Sequence, residues 1–235
     1  MQTESLPLQG KVARPAPEEV IESPPQGQGE VMDNEKLTLI EEVVKREWDM
    51  FQLVHNEGGR ASCQDDWPTF HIMRSCQYKP WPIELVAMFN IELMMAENAG
   101  RNLVMEKYAR MMKSTAPARY KEIEQYLPYI SPDVEELAEQ IISIHKKWMI
   151  EHRDRYPKLS ARGRYLFTEE DTEWETSSET YLRGELLTWS KPMLKSYYEF
   201  VRECEKDGVN LVIEQDKYTV REYGYETLEE AEERC

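Results

Sequence analysis

The sequence predicts a mainly α protein, a single helical-bundle domain of about seven helices with a small C-terminal β-hairpin. Three observations carry this. Apolar residues recur three and four apart over most of the chain from residue 34 onward, Pro and Gly punctuate those runs, and one stretch near the C-terminus alternates instead. With 235 residues, 40% of them hydrophobic, and 6 Trp, the chain can bury a proper core.

Taken in order, residues 1–31 are rich in Pro, Gln, Glu and Gly and poor in aromatics. Such a segment buries too little to offset its ordering entropy and is expected to be disordered and dispensable, upstream of a start at Met32. The helical domain is expected over 32–235. Leu37, Ile40, Val44, Phe51 and Val54 share one face of a first helix over about 34–56, stopped by Gly58-Gly59. A second helix, about 67–78, starts near Asp66 with Pro68 in its first turn. Pro82 opens a third that ends before Gly100; it is apolar nearly all round and so reads as the central buried helix. A fourth covers about 101–114, and Pro117 begins a shorter one to about Tyr126.

"SPDVEELAEQ" starts a long helix to about Arg155, with Ser131 as cap and acids near the positive dipole end. Residues 157–176 have no period and read as a long loop, a place where function often resides. Helices follow over about 178–189 and 191–206. "NLVIEQDKYTVREYG" alternates about a turn at Gln215-Asp216 and reads as the hairpin, and "TLEEAEER" as a short terminal helix.

Charge narrows the function classes. A net charge of -16 and a pI near 4.8, with no dense Lys/Arg run, disfavour nucleic acid and anionic membrane surfaces as partners. The first residues lack a basic flank followed by an apolar stretch, and the most apolar segment, 83–96, is interrupted by Glu84, Asn90 and Glu92. A soluble cytoplasmic protein is the expectation. The four scattered cysteines suit reduced thiols.

No metal or cofactor is expected. Cys63, His71 and Cys76 lack paired zinc-ligand spacing. His145 and His152 stand about 10 Å apart along a helix. No Glu lies three residues before a His, and no phosphate-cradling glycine loop occurs.

What remains is a set of charges on apolar faces. At 100° per residue, Glu47 falls inside the buried stripe of the first helix. Arg74 and Gln77 lie within the stripe of Trp67, Phe70, Met73 and Tyr78, and Glu185 is flanked by Tyr181, Leu182 and Trp189. His145 and His152 continue an apolar line, and Lys107 borders the Leu103/Tyr108/Met111 face. Each has a bland reading, a snorkelling or satisfied core side chain. Two carboxylates and an arginine on inward faces nevertheless invite pairing, because an unpaired buried charge is costly. Such a cluster is either a structural ion network or an active site. Glu106–Arg110 reads as a plain i,i+4 surface pair.

The strings "GGRASCQDDW" with "RSCQ" (58–77), "AGRNLVMEKYARMMKSTAP" (99–117) and "TEEDTEWETSSETYLRGELLTWS" (168–190) resemble a bacterial family known only as a domain of unknown function. The likeness runs from about Met32 to the C-terminus. It implies an association with nucleotidyltransferase-like partner proteins. It marks Arg60, Cys63, Gln64, Asp66, Arg74, Gln77, Asn102, Glu106, Lys107, Arg110, Thr180, Tyr181, Arg183 and Glu185 as motif positions without giving them roles. Where the family pattern has a Ser-Tyr pair followed by an Asp, this chain has Met88, Phe89 and Glu92.

The leading reading is a polar pocket between the helices that carry these residues. It would bind a small anionic metabolite through Arg74 and Lys107, with Arg60, Asp66, Gln77 and Tyr181 as further substrate contacts. Glu47 or Glu185 would serve as acid/base. The alternative is a helical adaptor without catalysis, using the abundant methionines as an adaptable apolar surface.

Overall fold

The structure, a computed structural model, describes residues 34–55 and 59–235. The expectations for residues 1–31 and for Gly58 lie outside the described residues. Eleven α-helices and no β-strand stand among the described residues: α1 Asn34–Gln52, α2 Trp67–Tyr78, α3 Ile83–Asn98, α4 Leu103–Thr115, α5 Pro117–Ile123, α6 Pro132–Arg155, α7 Pro157–Arg162, α8 Ser178–Leu186, α9 Lys191–Lys206, α10 Leu211–Glu222 and α11 Leu228–Arg234. The mainly α class holds. The count of about seven rises because the two short pieces at 117 and 228 are helices in their own right and two further helices were not foreseen. One of these, α7, lies inside the expected loop over 157–176. The other replaces the expected hairpin.

That replacement has a local cause. Asn210 accepts hydrogen bonds from the backbone N–H groups of Val212 and Ile213, and so caps a helix at its first turn. Gly224, with φ +87°, ends it where the Tyr225 N–H reaches back to Val220 O. The alternation of Leu211, Val212 and Ile213 is too short to oppose two caps. Ile213 and Val220 then bury against Tyr156, Leu228 and Ala231 in a small second core, while Asn210 Nδ2 also donates to Trp148 O on α6.

The main core is built by α1, α3, α4, α6, α8 and α9 around Trp81, Phe89, Trp189 and Tyr197, whose rings meet edge-on or tilted with centroids 4.9–6.1 Å apart. Burial of side chains of this size contributes about 1.5–3 kcal/mol each. The third helix is not buried all round. Its Leu85, Val86, Phe89 and Leu93 enter the core, but Ile91 and Met95 are 57% and 65% exposed. A nearly uniform apolar sequence hid which face turns inward. His145 and His152 do lie in the core line of α6, His145 with its Nε2 3.1 Å from the Tyr197 hydroxyl and His152 2.8 Å from Asp216.

A close helix approach that positions the site is α4 against α8. A Cβ at Gly184 would lie 2.9 Å from Met111 Cγ and 3.0 Å from the Lys107 carbonyl oxygen. Only glycine lets the two backbones come so near. Gly184→Ala is therefore expected to lower stability by about 1–3 kcal/mol through overpacking. Urea unfolding measures it, and an unchanged midpoint would show that α8 has room to move.

Candidate functional site

Arg74 is the hub of a buried polar cluster. Its Nε donates to Glu47 Oε2 at 2.9 Å and its Nη2 to Glu47 Oε1. The other edge of the guanidinium meets Glu185, Nη2 to Oε1 at 3.0 Å and Nη1 to Oε2 at 3.2 Å. Nη1 also donates to Gln77 Oε1 at 2.7 Å, and Gln77 Nε2 donates to Glu185 Oε1 at 3.1 Å. Lys107 Nζ donates to Glu185 Oε2 and sits 3.4 Å from the centroid of the Tyr181 ring. The Tyr78 hydroxyl donates to Glu47 Oε2 at 2.8 Å. Four helices, α1, α2, α4 and α8, thus share one network. Arg74, Glu47, Lys107 and Glu185 are all buried, and their two positive and two negative charges balance.

The electrostatics follow from this pairing. Burial pushes the Glu185 carboxyl up, but Arg74 and Lys107 outweigh it and hold its pKa far below the ordinary carboxylate range. Burial works against the Arg74 cation too, yet Glu185 and Glu47 raise its pKa well above the ordinary arginine value. Burial, opposed by Arg74 but reinforced by Glu47 and Glu185, keeps the Tyr78 phenol well above its ordinary 10.0, so it remains a proton donor. Burial also pushes the Tyr181 phenol up, but Lys107, Arg74 and Arg164 together draw it below 10.0.

Six of the eight residues singled out in the sequence therefore meet: Glu47, Arg74, Gln77, Lys107, Tyr181 and Glu185. Arg60 and Asp66 do not. Arg60 turns to its own loop and the end of α1, donating to Asp65 Oδ1 at 2.9 Å, to Gln64 O at 2.8 Å and to Gln52 Oε1, and Asp66 caps α2 by accepting from the Thr69 N–H. Partners nearby in the chain thus hold both away from the quartet. Gln64 has a structural task, donating from Nε2 to Phe51 O in the last turn of α1 and to Val54 O just past it. Tyr78 was read only as an apolar ring; its hydroxyl role has no signature in spacing.

The space beside this cluster is small. Phe70, Phe89, Leu93 and Trp189 help to enclose a cavity of about 30 Å³, room for roughly one water molecule. Phe89 is one of the apolar walls. Glu92 accepts from Ser190 N and Oγ, both at 2.7 Å, at the start of α9.

A much larger cleft, about 770 Å³, opens on the other side of α8, between α4, α5, the segment to residue 130 and the start of α6. Arg110, Ser114, Thr180, Arg183 and Leu187 are among its walls. Asp171, in the 163–177 segment, accepts from Ser114 Oγ, from Thr180 Oγ1 at 2.6 Å and from the Ser177 N–H at 2.6 Å, which ties that segment to α4 and α8. Arg183 is held by Glu139 and Glu179. Arg110 is different. The expected Glu106–Arg110 pair does not form, because Arg101 takes both oxygens of Glu106, at 2.9 and 2.7 Å. Among the described residues Arg110 is left with one bond, Nη2 to Pro128 O at 2.8 Å, and a buried Nε with no hydrogen-bond partner. No three His, Cys, Asp or Glu side chains among the described residues gather as metal ligands.

The family model described as a protein of unknown function, DUF4125, matches residues 37–233. The chain belongs to this family. No curated protein and no solved structure matches it. No helix among the described residues is long and apolar enough to cross a membrane. The match covers both the buried quartet and the cleft, which lie on the two faces of α8: Tyr181 and Glu185 look into the quartet, Thr180 and Arg183 toward the cleft.

Two outcomes are expected for the quartet. Arg74→Met leaves two buried carboxylates with Lys107 alone and should cost about 3–5 kcal/mol, read by urea unfolding; a loss under about 1 kcal/mol would mean that the pair is effectively solvated. Second, a depressed folded pKa gives Glu185 a contribution that is complete above its unfolded value of about 4.3 and fades as pH falls below it. The stability gap between wild type and Glu185→Gln should therefore narrow from about pH 6 to about pH 3. A constant gap would remove the ionic explanation.

Proposed function

We propose that this DUF4125 protein is a soluble, cytoplasmic small-molecule-binding protein, and that its ligand occupies the cleft on the outer face of α8 rather than the buried quartet. The observation that carries this reading is size. The cleft, at about 770 Å³, falls in the range of about 300–1,000 Å³ typical of ligand sites. The cavity beside Glu47, Arg74, Lys107 and Glu185, at about 30 Å³, admits no metabolite. The quartet is also charge-balanced and internally hydrogen-bonded, so it asks for no ligand. Its role in this reading is to fix the four helices, and Glu47 and Glu185 are not assigned proton transfer.

The adaptor reading draws on Ile91, Met94 and Met95, which project from one face of α3. Three side chains make a narrow stripe, and single exposed apolar residues are normal on soluble proteins. The cleft is the stronger candidate.

A thermal-stability screen of small metabolites tests the proposal. A true ligand at about 100 times its Kd raises stability by roughly 2.7 kcal/mol. Leu187→Trp, which fills the cleft floor, should abolish the response. A hit that stabilises this variant as well as wild type would place the site elsewhere.

A further inference from the structure

A buried arginine normally has a carboxylate beside it, and every other buried guanidinium or ammonium group described above has one. Arg110 is 8% exposed and lines the cleft, yet among the described residues its only hydrogen bond runs to a backbone carbonyl, and its Nε has no partner. The carboxylate one turn earlier on α4, Glu106, is fully engaged by Arg101. Such a cation is destabilising on its own and is relieved by an anion that reaches it. Burial correspondingly draws its pKa down, with Glu106 only partly opposing.

The surroundings add two features. Lys113, nearly one turn further along α4, lines the same cleft and is exposed, so the rim offers a second positive charge. Tyr120 and Tyr129 also line it, and Tyr129 is 85% exposed. A tyrosine ring so open to water at the edge of a concave site is a platform on which a flat apolar ring can lie. Glu124 and Glu135 are on the same rim; both are exposed and solvated, so they select against an anion at the mouth less strongly than Arg110 favours one inside.

We propose that the cleft's ligand is a ring-bearing oxyanion, a carboxylate or a phosphate ester, with its charge on Arg110 and its ring against Tyr120 and Tyr129. This rests on the reading of the cleft as the binding site.

The test uses the full chain and small probes: benzoate, phenyl phosphate, acetate and benzyl alcohol, titrated by ligand-observed NMR against wild type, Arg110→Gln and Leu187→Trp. Unfolding midpoints are measured in buffer free of carboxylate and phosphate. At least one aromatic anion should bind wild type and be lost in Leu187→Trp. Arg110→Gln should weaken it about tenfold or more, the size of a lost charge-assisted hydrogen bond, and leave benzyl alcohol unchanged. Preference for benzoate assigns a carboxylate, and preference for phenyl phosphate a phosphate ester. The Arg110→Gln midpoint should hold or rise, because the variant removes an unpaired buried cation. If that midpoint falls, Arg110 is a structural residue and the proposal fails. If benzyl alcohol binds as well as the anions and Arg110→Gln changes nothing, the cleft survives as a binding site but the oxyanion does not. Acetate binding as tightly as benzoate overturns the role of the tyrosines. If no probe responds to Leu187→Trp, the cleft reading and this one fall together.

Discussion

The guanidinium of Arg74 is the constraint on which the arrangement of the main bundle depends. It binds one carboxylate along each of two edges, Glu47 from α1 and Glu185 from α8. Each of these carboxylates would be severely destabilising in the core without it. The planar, forked geometry of arginine accepts few alternatives, so the rotation of α1, α2 and α8 about their axes is set together. Lys107 brings α4 into the same register through Glu185, and Gly184 allows α4 and α8 to come close enough for that bond. The surrounding aromatic core supplies most of the stabilisation, but apolar contacts are non-directional. The ion network is what distinguishes one register from its neighbours.

Because α8 is held this way, its two faces have different fates. Glu185 and Tyr181 turn toward the quartet, and Thr180, Arg183 and Leu187 toward the cleft. On the inner face nearly every polar group is satisfied by another protein group and the enclosed space is about 30 Å³. On the outer face there is room, and one buried cation has a vacant donor. A satisfied network needs no further partner, whereas an unsatisfied buried cation beside open space calls for an explanation. That contrast, more than the density of charged residues, separates the candidate site from its support.

Much of the quartet was legible in the sequence. Glu47, Arg74, Gln77 and Glu185 each interrupt an apolar stripe at helical spacing, and the cost of burying a lone charge implies that they meet. Tyr78 was not legible as a polar member, since a tyrosine in a stripe has the spacing of a phenylalanine. The pair drawn between Glu106 and Arg110 failed because spacing gives only the intrahelical partner. Arg101, five residues before Glu106 and outside the helix, competes for the same oxygens and wins with a bidentate contact. That Arg110 has no carboxylate bonded to it follows from that competition and has no trace in the order of residues.

Local chemistry alone settles where most helices begin and end. Asn102 and Ser190 cap α4 and α9 with their own side chains, and Gly100 and Gly208 take the positive φ that the turns after α3 and α9 require. At 210–224 the same kind of cap, Asn210 with Gly224, outweighs an alternation that resembles a strand. Tertiary structure decides which polar faces meet and how much space they enclose. The Arg74 contacts join residues 27 and 111 positions apart, and the volume beside them depends on rings from α2, α3 and α8. A charge on an apolar face reveals that it needs a partner; only the crossing of the helices determines whether that partner is another side chain or a ligand.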